Sequence, residues 1–206
     1  MPLQNRVTPF GEIVAHPARG LFMGNRGILH ISGRRLHPTR RWTHKTWICC
    51  LCEFKGRHRP VMTPGRYTEL FFLDEAAALA AGHRPCFECR RADAKRFAAA
   101  WAQGNGGPLP SARDMDAVLH AERLDGKDKR LHRLTASPGA LPDGAMVAAD
   151  DRAWLVLDGR FLPWSFEGYG AAAGEPAGLS LLTPPSIIRA LVAGYRPSLH
   201  PSASGD

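Results

Sequence analysis

The sequence lacks several features that would place it quickly in a functional class. No stretch approaches the run of about 18 apolar residues that a membrane-spanning helix needs, and residues 1–20 lack the basic and then apolar layout of a secretory signal. The phosphate-cradling glycine loop, the Gly-x-Ser-x-Gly elbow and the His-Glu-x-x-His helix are also missing. We therefore expect a cytoplasmic protein without a membrane partner, and no catalytic motif of these kinds indicates an activity.

A disulfide framework is not expected either, because the chain has five cysteines, an odd number, and no export signal. Four of them form two Cys-x-x-Cys pairs, Cys49 with Cys52 and Cys86 with Cys89. Each such turn directs two sulfurs to one side, and two turns complete a tetrahedron around Zn²⁺ that leaves no position for water. The spacing predicts one closed, structural zinc site with these four ligands.

The first cysteine group leaves alternatives open. Cys50 can replace Cys49 as a ligand, since Cys50-x-Cys52 is an unusual but possible geometry. Imidazole nitrogen is also a zinc ligand, and three histidines near the cysteines can each substitute for one sulfur. These histidines are His44, His58 and His83.

Positive charge is concentrated in the first third of the chain. Residues 1–60 contain eleven Lys and Arg but only two acidic residues, a net charge of +9, whereas the rest contains sixteen against seventeen. Such asymmetry indicates a polyanionic partner, because Lys and Arg that neutralise phosphates release condensed counterions. We expect this partner to be nucleic acid.

A basic segment that contains two tryptophans is the candidate contact surface. Its cations are expected to bind phosphates, and Trp42 or Trp47 to stack on an exposed base, although packing in a core is the more frequent role of tryptophan. By contrast, Lys127 and Lys129 alternate with acidic residues, which favours a solvated loop. The predicted nucleic-acid-binding residues are Arg34, Arg35, Arg40, Arg41, Trp42, Lys45, Arg57, Arg59 and Arg66.

The hydrophobic pattern predicts an α+β fold in two parts, a small zinc-stabilised module followed by a mixed α/β region with a β-hairpin. The Gly- and Pro-rich sequence GNGGPLP separates the two parts. The predicted divisions are residues 1–103 for the basic zinc-binding module, 104–110 for a linker, 111–196 for the α+β C-terminal region, and 197–206 for a disordered tail.

Local signals place individual elements within these parts. Asp74 as N-cap and Gly82 just past the end predict a short helix over residues 75–81, and a second helix is expected over residues 92–103. Glycines in residues 21–31 predict a first hairpin, and Asp158-Gly159 predicts a second.

Residues 71–90, FFLDEAAALAAGHRPCFECR, resemble the Ada-type zinc-binding module. In that family a strand ending in aromatic residues leads into an EAxxAG(Y/F)RPCxxC helix and knuckle, and an upstream cysteine pair completes the site. The resemblance covers about residues 47–91 and implies that Cys86 and Cys89 are zinc ligands, with two more from the first cluster. It also implies action on DNA. The first pair departs from the family pattern, with two residues between its cysteines instead of three.

These observations lead to one main hypothesis and two alternatives. The main one is a zinc-containing protein that binds nucleic acid, DNA rather than RNA, in repair or processing, with a purely structural four-cysteine zinc site. The first alternative is an enzyme, such as a DNA glycosylase or nuclease, whose catalytic residues lie outside the zinc site. The second is a stoichiometric alkyl acceptor through Cys49 or Cys50, since electropositive surroundings favour the nucleophilic thiolate.

Overall fold

The computed structural model describes residues 1–57, 59–134 and 136–204, and it confirms a mixed α+β fold. No helix in these ranges is long and apolar enough to cross a membrane. The elements up to residue 105 are β1 (Gln4–Val7), β2 (Ile13–Ala15), β3 (Phe22–Asn25), β4 (His30–Ile31), β5 (Arg35–Leu36), β6 (Ile48–Leu51), β7 (Leu70–Phe72), α1 (Glu75–Ala80), β8 (Arg84–Pro85) and α2 (Arg91–Asn105).

The remaining elements form the second half of the chain. They are α3 (Ala112–Arg123), β9 (Leu124–Asp125), β10 (Asp128–Lys129), β11 (Met146–Ala149), β12 (Arg152–Leu157), β13 (Arg160–Pro163), β14 (Ser180–Leu181) and α4 (Pro185–Val192). Short 3-10 turns occur at Ser32–Arg34, Pro138–Ala140 and Pro201–Ser204.

A six-stranded sheet with the order β2-β1-β7-β3-β6-β8 organises the first half. Strand β3 is antiparallel to both β6 and β7, so the hairpin predicted over residues 21–31 does not form. The glycine at position 24 serves close strand packing instead of a turn, because an added Cβ there would lie 2.2 Å from the Ile48 carbonyl oxygen. Strand β8 extends the sheet in parallel with β6, with Ile48 opposite Arg84 and Cys49 opposite Pro85.

A four-stranded antiparallel sheet with the order β13-β12-β11-β14 lies in the second half. It contains the predicted hairpin between β12 and β13, in which Leu157 is opposite Arg160. Both turn residues have positive φ, 51° at Asp158 and 67° at Gly159, as the favoured two-residue hairpin turn requires. This hairpin prediction is therefore confirmed.

Helix α1 begins and ends at the predicted signals. The carboxylate of Asp74 accepts a hydrogen bond from the backbone N–H of Ala77 at 2.9 Å, which satisfies one free donor of the first turn. Gly82 follows the helix with a φ of 85°, a conformation that is strained for residues with a Cβ. All six helical residues are buried, so α1 runs through the interior of the molecule.

One hydrophobic cluster combines residues from both sides of the predicted linker. It includes Leu79 of α1, Phe97 of α2, Met115 of α3 and Ile187 of α4. Helix α2 continues to Asn105, inside the predicted linker, and packs on α4; an added Cβ at position 104 would lie 2.1 Å from a carbonyl oxygen of α4. The glycine that resembles a boundary signal in the sequence therefore permits close helix packing, and the two predicted parts share a core.

The C-terminal segment predicted to be disordered is packed over residues 197–204, whereas residues 205–206 lie outside the described ranges. The backbone N–H of His200 donates to the carboxylate of Asp74 at 3.0 Å, and that of Ser198 donates to Glu75 at 2.9 Å. Ala203 is buried. Carboxylates at the start of α1 thus order this segment, and the composition of the segment itself gives no sign of these partners.

Candidate metal centre

Three cysteines bring their sulfur atoms within 4.8 Å of one another, a group that could hold a metal ion. We call Cys50, Cys86 and Cys89 the thiol cluster. Pairing of β6 with β8 places the first of them beside the second, and the backbone N–H of Cys86 donates to the Cys49 carbonyl at 2.9 Å. The turn from residue 86 to residue 89 then leads directly into α2, so its two thiols stay on one side.

Cys49 and Cys50 point to opposite faces of β6, because successive side chains of a strand alternate. Cys49 is fully buried in a core cluster with Phe22 and Phe72, where its sulfur accepts a hydrogen bond from Arg90 Nη1 at 3.4 Å. Burial raises the pKa of this thiol. The structure therefore joins Cys50 to the predicted ligands of the second pair and places Cys49 outside the cluster.

Cys52, the remaining predicted ligand, is exposed and also lies outside the cluster. It nevertheless lines the same cavity as the three clustered cysteines, a space of about 140 Å³. Its thiol donates to the Leu21 carbonyl at 3.4 Å. Among the alternative histidine ligands, His44 is exposed, His83 is bound to Arg26, and His58 falls outside the described residues.

The electrostatics and geometry of the thiol cluster fit a soft divalent cation. Hydrogen bonds with Cys50 and Cys89 hold the pKa of Cys86 well below its usual value. Hydrogen bonds with Cys86 and Cys89 raise the pKa of Cys50. The three sulfurs therefore do not all ionise without a nearby cation. A tetrahedral site with Zn–S bonds of about 2.3 Å has S···S distances of about 3.8 Å. The observed spacing is compatible with that geometry after a small contraction.

Backbone donors around the thiol cluster also suit coordinated thiolates. The N–H of Leu51 donates to the sulfur of Cys89 and that of Glu88 to the sulfur of Cys86, each at 3.4 Å. Such outer hydrogen bonds orient metal ligands and disperse their negative charge. The donors are fixed by β6 and by the turn before α2, so they are independent of side-chain motion.

The predicted nucleic-acid-binding cations fall into two groups, apart from Arg41, which is half-buried. Two of them are already paired with carboxylates, Arg57 with Glu88 at 2.8 Å and Arg59 with Glu69 at 2.5 Å. The others that are exposed have no ion pair within residues 1–57, 59–134 and 136–204. These exposed cations are Arg34, Arg35, Arg40, Lys45 and Arg66.

The two tryptophans occupy different environments. Trp47 is 2% exposed, and two guanidinium groups lie over its ring, that of Arg26 at 4.0 Å and that of Arg123 at 3.8 Å. This burial leaves no room for a nucleic-acid base to stack on Trp47. Trp42 is half-buried and, together with Arg41, lines a cavity of about 590 Å³. Both tryptophans line this cavity, and Trp42 is the more exposed of the two.

Sequence reasoning missed the cations inside that larger cavity. Arg26 sits in a glycine-rich stretch that suggests a turn, yet it is 2% exposed. Lys129 belongs to the segment predicted to be a solvated loop, yet its ammonium group donates to the Ala80 carbonyl. Arg123, at the end of α3, is also buried. The excess of positive charge in the sequence was the only sign of such a site, and it does not show which basic side chains are buried in the fold.

No protein-family model matches the chain, and comparison with curated proteins and with solved structures gave no match. The resemblance of residues 71–90 to the Ada-type module therefore stays a prediction. Functional conclusions depend on the geometry and charge of the chain's own residues.

Proposed function

We propose that the chain is a zinc-containing protein that binds nucleic acid, with the metal in a structural role. Cys50, Cys86 and Cys89 would supply three thiolates, and Cys52, which lines the same cavity, would supply the fourth. Four thiolates leave no open position on tetrahedral Zn²⁺, so the metal would tie β6 to the start of α2 without taking part in chemistry.

The observation that carries the nucleic-acid part of this proposal is the set of exposed cations without carboxylate partners in the described residues. Four of the five lie in the segment from residue 34 to residue 45, within residues 1–60, which have a net charge of +9. Exposed arginines that no carboxylate neutralises are available to phosphates. The resemblance to the Ada-type module supports DNA, in repair or processing, as the target.

Burial bears on the alternative in which a first-cluster cysteine accepts an alkyl group. Cys49 is fully buried behind the sheet, so a macromolecular donor has no access to its sulfur. Cys50 and Cys52 face a cavity, but as zinc ligands both would have a structural role. We therefore retain nucleic-acid binding with a structural metal as the proposal.

The test is the salt dependence of binding to labelled single-stranded DNA, duplex DNA and RNA, measured by fluorescence anisotropy. Affinity should fall linearly on logarithmic axes, with a slope of about −0.7 for each phosphate contacted on a single strand. Replacing Arg34, Arg35 and Arg40 together by Gln should make the slope shallower by up to about 2.

A matched control replaces Arg113, Arg133 and Arg152 by Gln, since these arginines are also exposed but lie in the second half of the chain. The control should bind like the unchanged protein. Binding that ignores salt, or equal effects of the two triple variants, would contradict the proposal.

A further inference from the structure

The cavity of about 590 Å³ lies on the side of the sheet where Trp47 and His83 are buried, away from the thiol cluster. Its wall is built from separate segments of the chain, namely the β1–β2 turn, the loop before β6, and the α3–β9–β10 segment. A space of this volume lies within the usual range for small-molecule sites. We call it the cationic pocket, after Arg26, Arg123 and Lys129, which line it together with Arg41 and Lys127.

The charge around Arg26, Arg123 and Lys129 is incompletely balanced: Asp116 favours the charged form of Arg123 but is itself paired with Arg84. Within the described ranges, Arg26, Arg123 and Lys129 form no ion pair with a carboxylate, and the two arginines repel each other and Lys129. Burying a cation without a counter-charge carries a large desolvation penalty, which proteins normally avoid by pairing. Positive charge concentrated inside a cavity therefore indicates a site for an anion.

Neutral hydrogen bonds hold the arginines in place without cancelling their charge. Arg26 donates to the Gly11 carbonyl at 2.8 Å and to the neutral ring of His83 at 3.3 Å. Arg123 donates to the Gly82 carbonyl at 2.9 Å and to the Lys45 carbonyl at 2.7 Å. The guanidinium groups are thus preorganised, so a ligand would not have to order them.

Unused donors remain on both arginines. Arg26 Nη2 and Arg123 Nε are buried and have no hydrogen-bond partner among the described residues. A buried N–H without an acceptor is rare in a folded protein, because it has lost its hydrogen bond to water without forming another one. Arg26 and Arg123 both line the cationic pocket. An oxygen-rich anion that reaches these two atoms from the pocket would supply the missing acceptors.

The rim of the cationic pocket differs from its interior. The acidic side chains that line it, Glu12, Asp128 and Asp151, are all exposed to solvent. Trp42 and Phe10 are half-buried aromatic residues of the lining, and the ring of Trp42 lies 6.2 Å from that of Trp47. The pocket therefore offers inward positive charge for a phosphate and an aromatic side chain for a flat apolar group, which are the two halves of a nucleotide.

We propose that the cationic pocket binds the phosphomonoester of a nucleotide, either a free mononucleotide or the phosphorylated end of a nucleic-acid strand. Arg26, Arg123 and Lys129 contact the phosphate, and Trp42 stacks on the base. A phosphomonoester carries close to two negative charges, whereas a phosphodiester within a strand carries one, so the monoester balances three cations better. This inference deepens the proposed function by naming the phosphate that is recognised.

The test measures two matched ligand pairs by calorimetry and anisotropy. Adenosine 5′-monophosphate is compared with adenosine, and a short single strand with a 5′-phosphate is compared with the same strand ending in a 5′-hydroxyl. Each phosphate should increase affinity about tenfold or more, the scale of charge-assisted hydrogen bonds. A preference in both pairs supports strand ends, and a preference for the mononucleotide alone supports a free nucleotide.

The variant Lys129→Met connects that preference to the pocket, since it removes one inward charge and keeps an unbranched side chain. It should reduce the phosphate preference about tenfold. Lys95→Met is the matched control, because Lys95 is exposed on α2 and does not line the pocket. Arg41→Gln, which removes another charge from the pocket lining, is a second variant expected to weaken binding of the phosphorylated ligands.

Two results would overturn the inference. One is that neither phosphorylated ligand binds better than its dephosphorylated partner. The other is that Lys129→Met and Lys95→Met behave alike while circular dichroism shows both folded. If neither phosphorylated ligand is preferred but both strands bind with a steep salt dependence, nucleic-acid binding stands and only the phosphomonoester site fails. If neither strand binds but the mononucleotide does, the proposed function fails and the pocket stands.

Discussion

The thiol cluster and the cationic pocket lie at opposite ends of the same pair of strands and present opposite electrostatic problems. Trp47 and His83 precede β6 and β8, and Trp47 lines the cationic pocket, whereas Cys50 and Cys86 lie at the other end and belong to the thiol cluster. One end gathers sulfurs whose ionisation needs a cation. The other gathers cations that need an anion. Each incomplete charge balance indicates its own kind of ligand.

Between these ends lies a cation whose charge is balanced. Arg84 of β8 is buried and makes two hydrogen bonds with Asp116 of α3, both at 2.8 Å. This pair shows how the fold treats a buried arginine that has a purely structural role. Arg26 and Arg123 have no such partner in the described part of the chain, which supports a ligand-binding role for them.

The largest expected effect comes from removing the carboxylate that neutralises the buried Arg84. Asp116→Asn keeps the shape of the side chain but leaves Arg84 buried without a counter-charge, so the free energy of unfolding should fall by about 3–5 kcal/mol. Urea denaturation measures it. In the control, Glu88→Gln breaks the exposed pair with Arg57 and should cost about 1 kcal/mol or less. If both variants lose the same free energy of unfolding, a counter-charge matters no more for a buried arginine than for an exposed one, which would contradict the comparison.

A smaller effect is expected at the aromatic rim of the cationic pocket. Trp42→Leu should weaken binding to single-stranded DNA by about 1–3 kcal/mol, the usual contribution of one stacked base. Trp42→Phe, which keeps an aromatic face, should recover most of that affinity. Anisotropy titrations measure both variants. If Trp42→Leu binds like the unchanged protein, Trp42 does not stack on the base.

The smallest effect concerns stability without any ligand. Lys129→Met removes a cation that faces Arg26 and Arg123, so it should raise the free energy of unfolding by about 1 kcal/mol at neutral pH, even though the same variant should lose ligand. Thermal and urea denaturation measure this change. A clear destabilisation would show that the bond of Lys129 to the Ala80 carbonyl outweighs the repulsion.

The pH dependence of stability checks the same residue. Burial, with Arg26 and Arg123 nearby, lowers the pKa of Lys129 from 10.5 to about 7. Between these values the unfolded chain binds the proton more strongly than the folded one, so the free energy of unfolding should rise with pH across this range. Lys129→Met should show a flatter profile. Parallel profiles would mean that Lys129 keeps an ordinary pKa.

The sequence allowed much of the local structure to be predicted, because its signals act over a few residues. The cap at Asp74, the stop at Gly82 and the turn at Asp158-Gly159 all depend on neighbours within the same element. The second cysteine pair is similarly local, since residues 86–89 form one turn. These signals depend little on the rest of the fold.

The remaining features depend on contacts between distant segments, which spacing does not reveal. Cys-x-x-Cys spacing suggests Cys49, but residues 48–51 are a strand, and strand alternation turns Cys50 toward Cys86. The cationic pocket joins residues 26, 123 and 129, which only the folded chain brings together. The packed C-terminal segment likewise depends on carboxylates more than a hundred residues away in sequence, the Glu75–Ser198 hydrogen bond being 123 residues apart.

The most direct test of the account is the metal content of two variants at adjacent positions. Cys49→Ala and Cys50→Ala remove the same atom from opposite faces of β6, and native mass spectrometry with elemental analysis counts bound zinc per chain. Cys49→Ala should keep about one ion per chain, as a closed thiolate site does, whereas Cys50→Ala should lose most of it. Zinc retained by Cys50→Ala and lost from Cys49→Ala would contradict the assignment of the thiol cluster as the metal site.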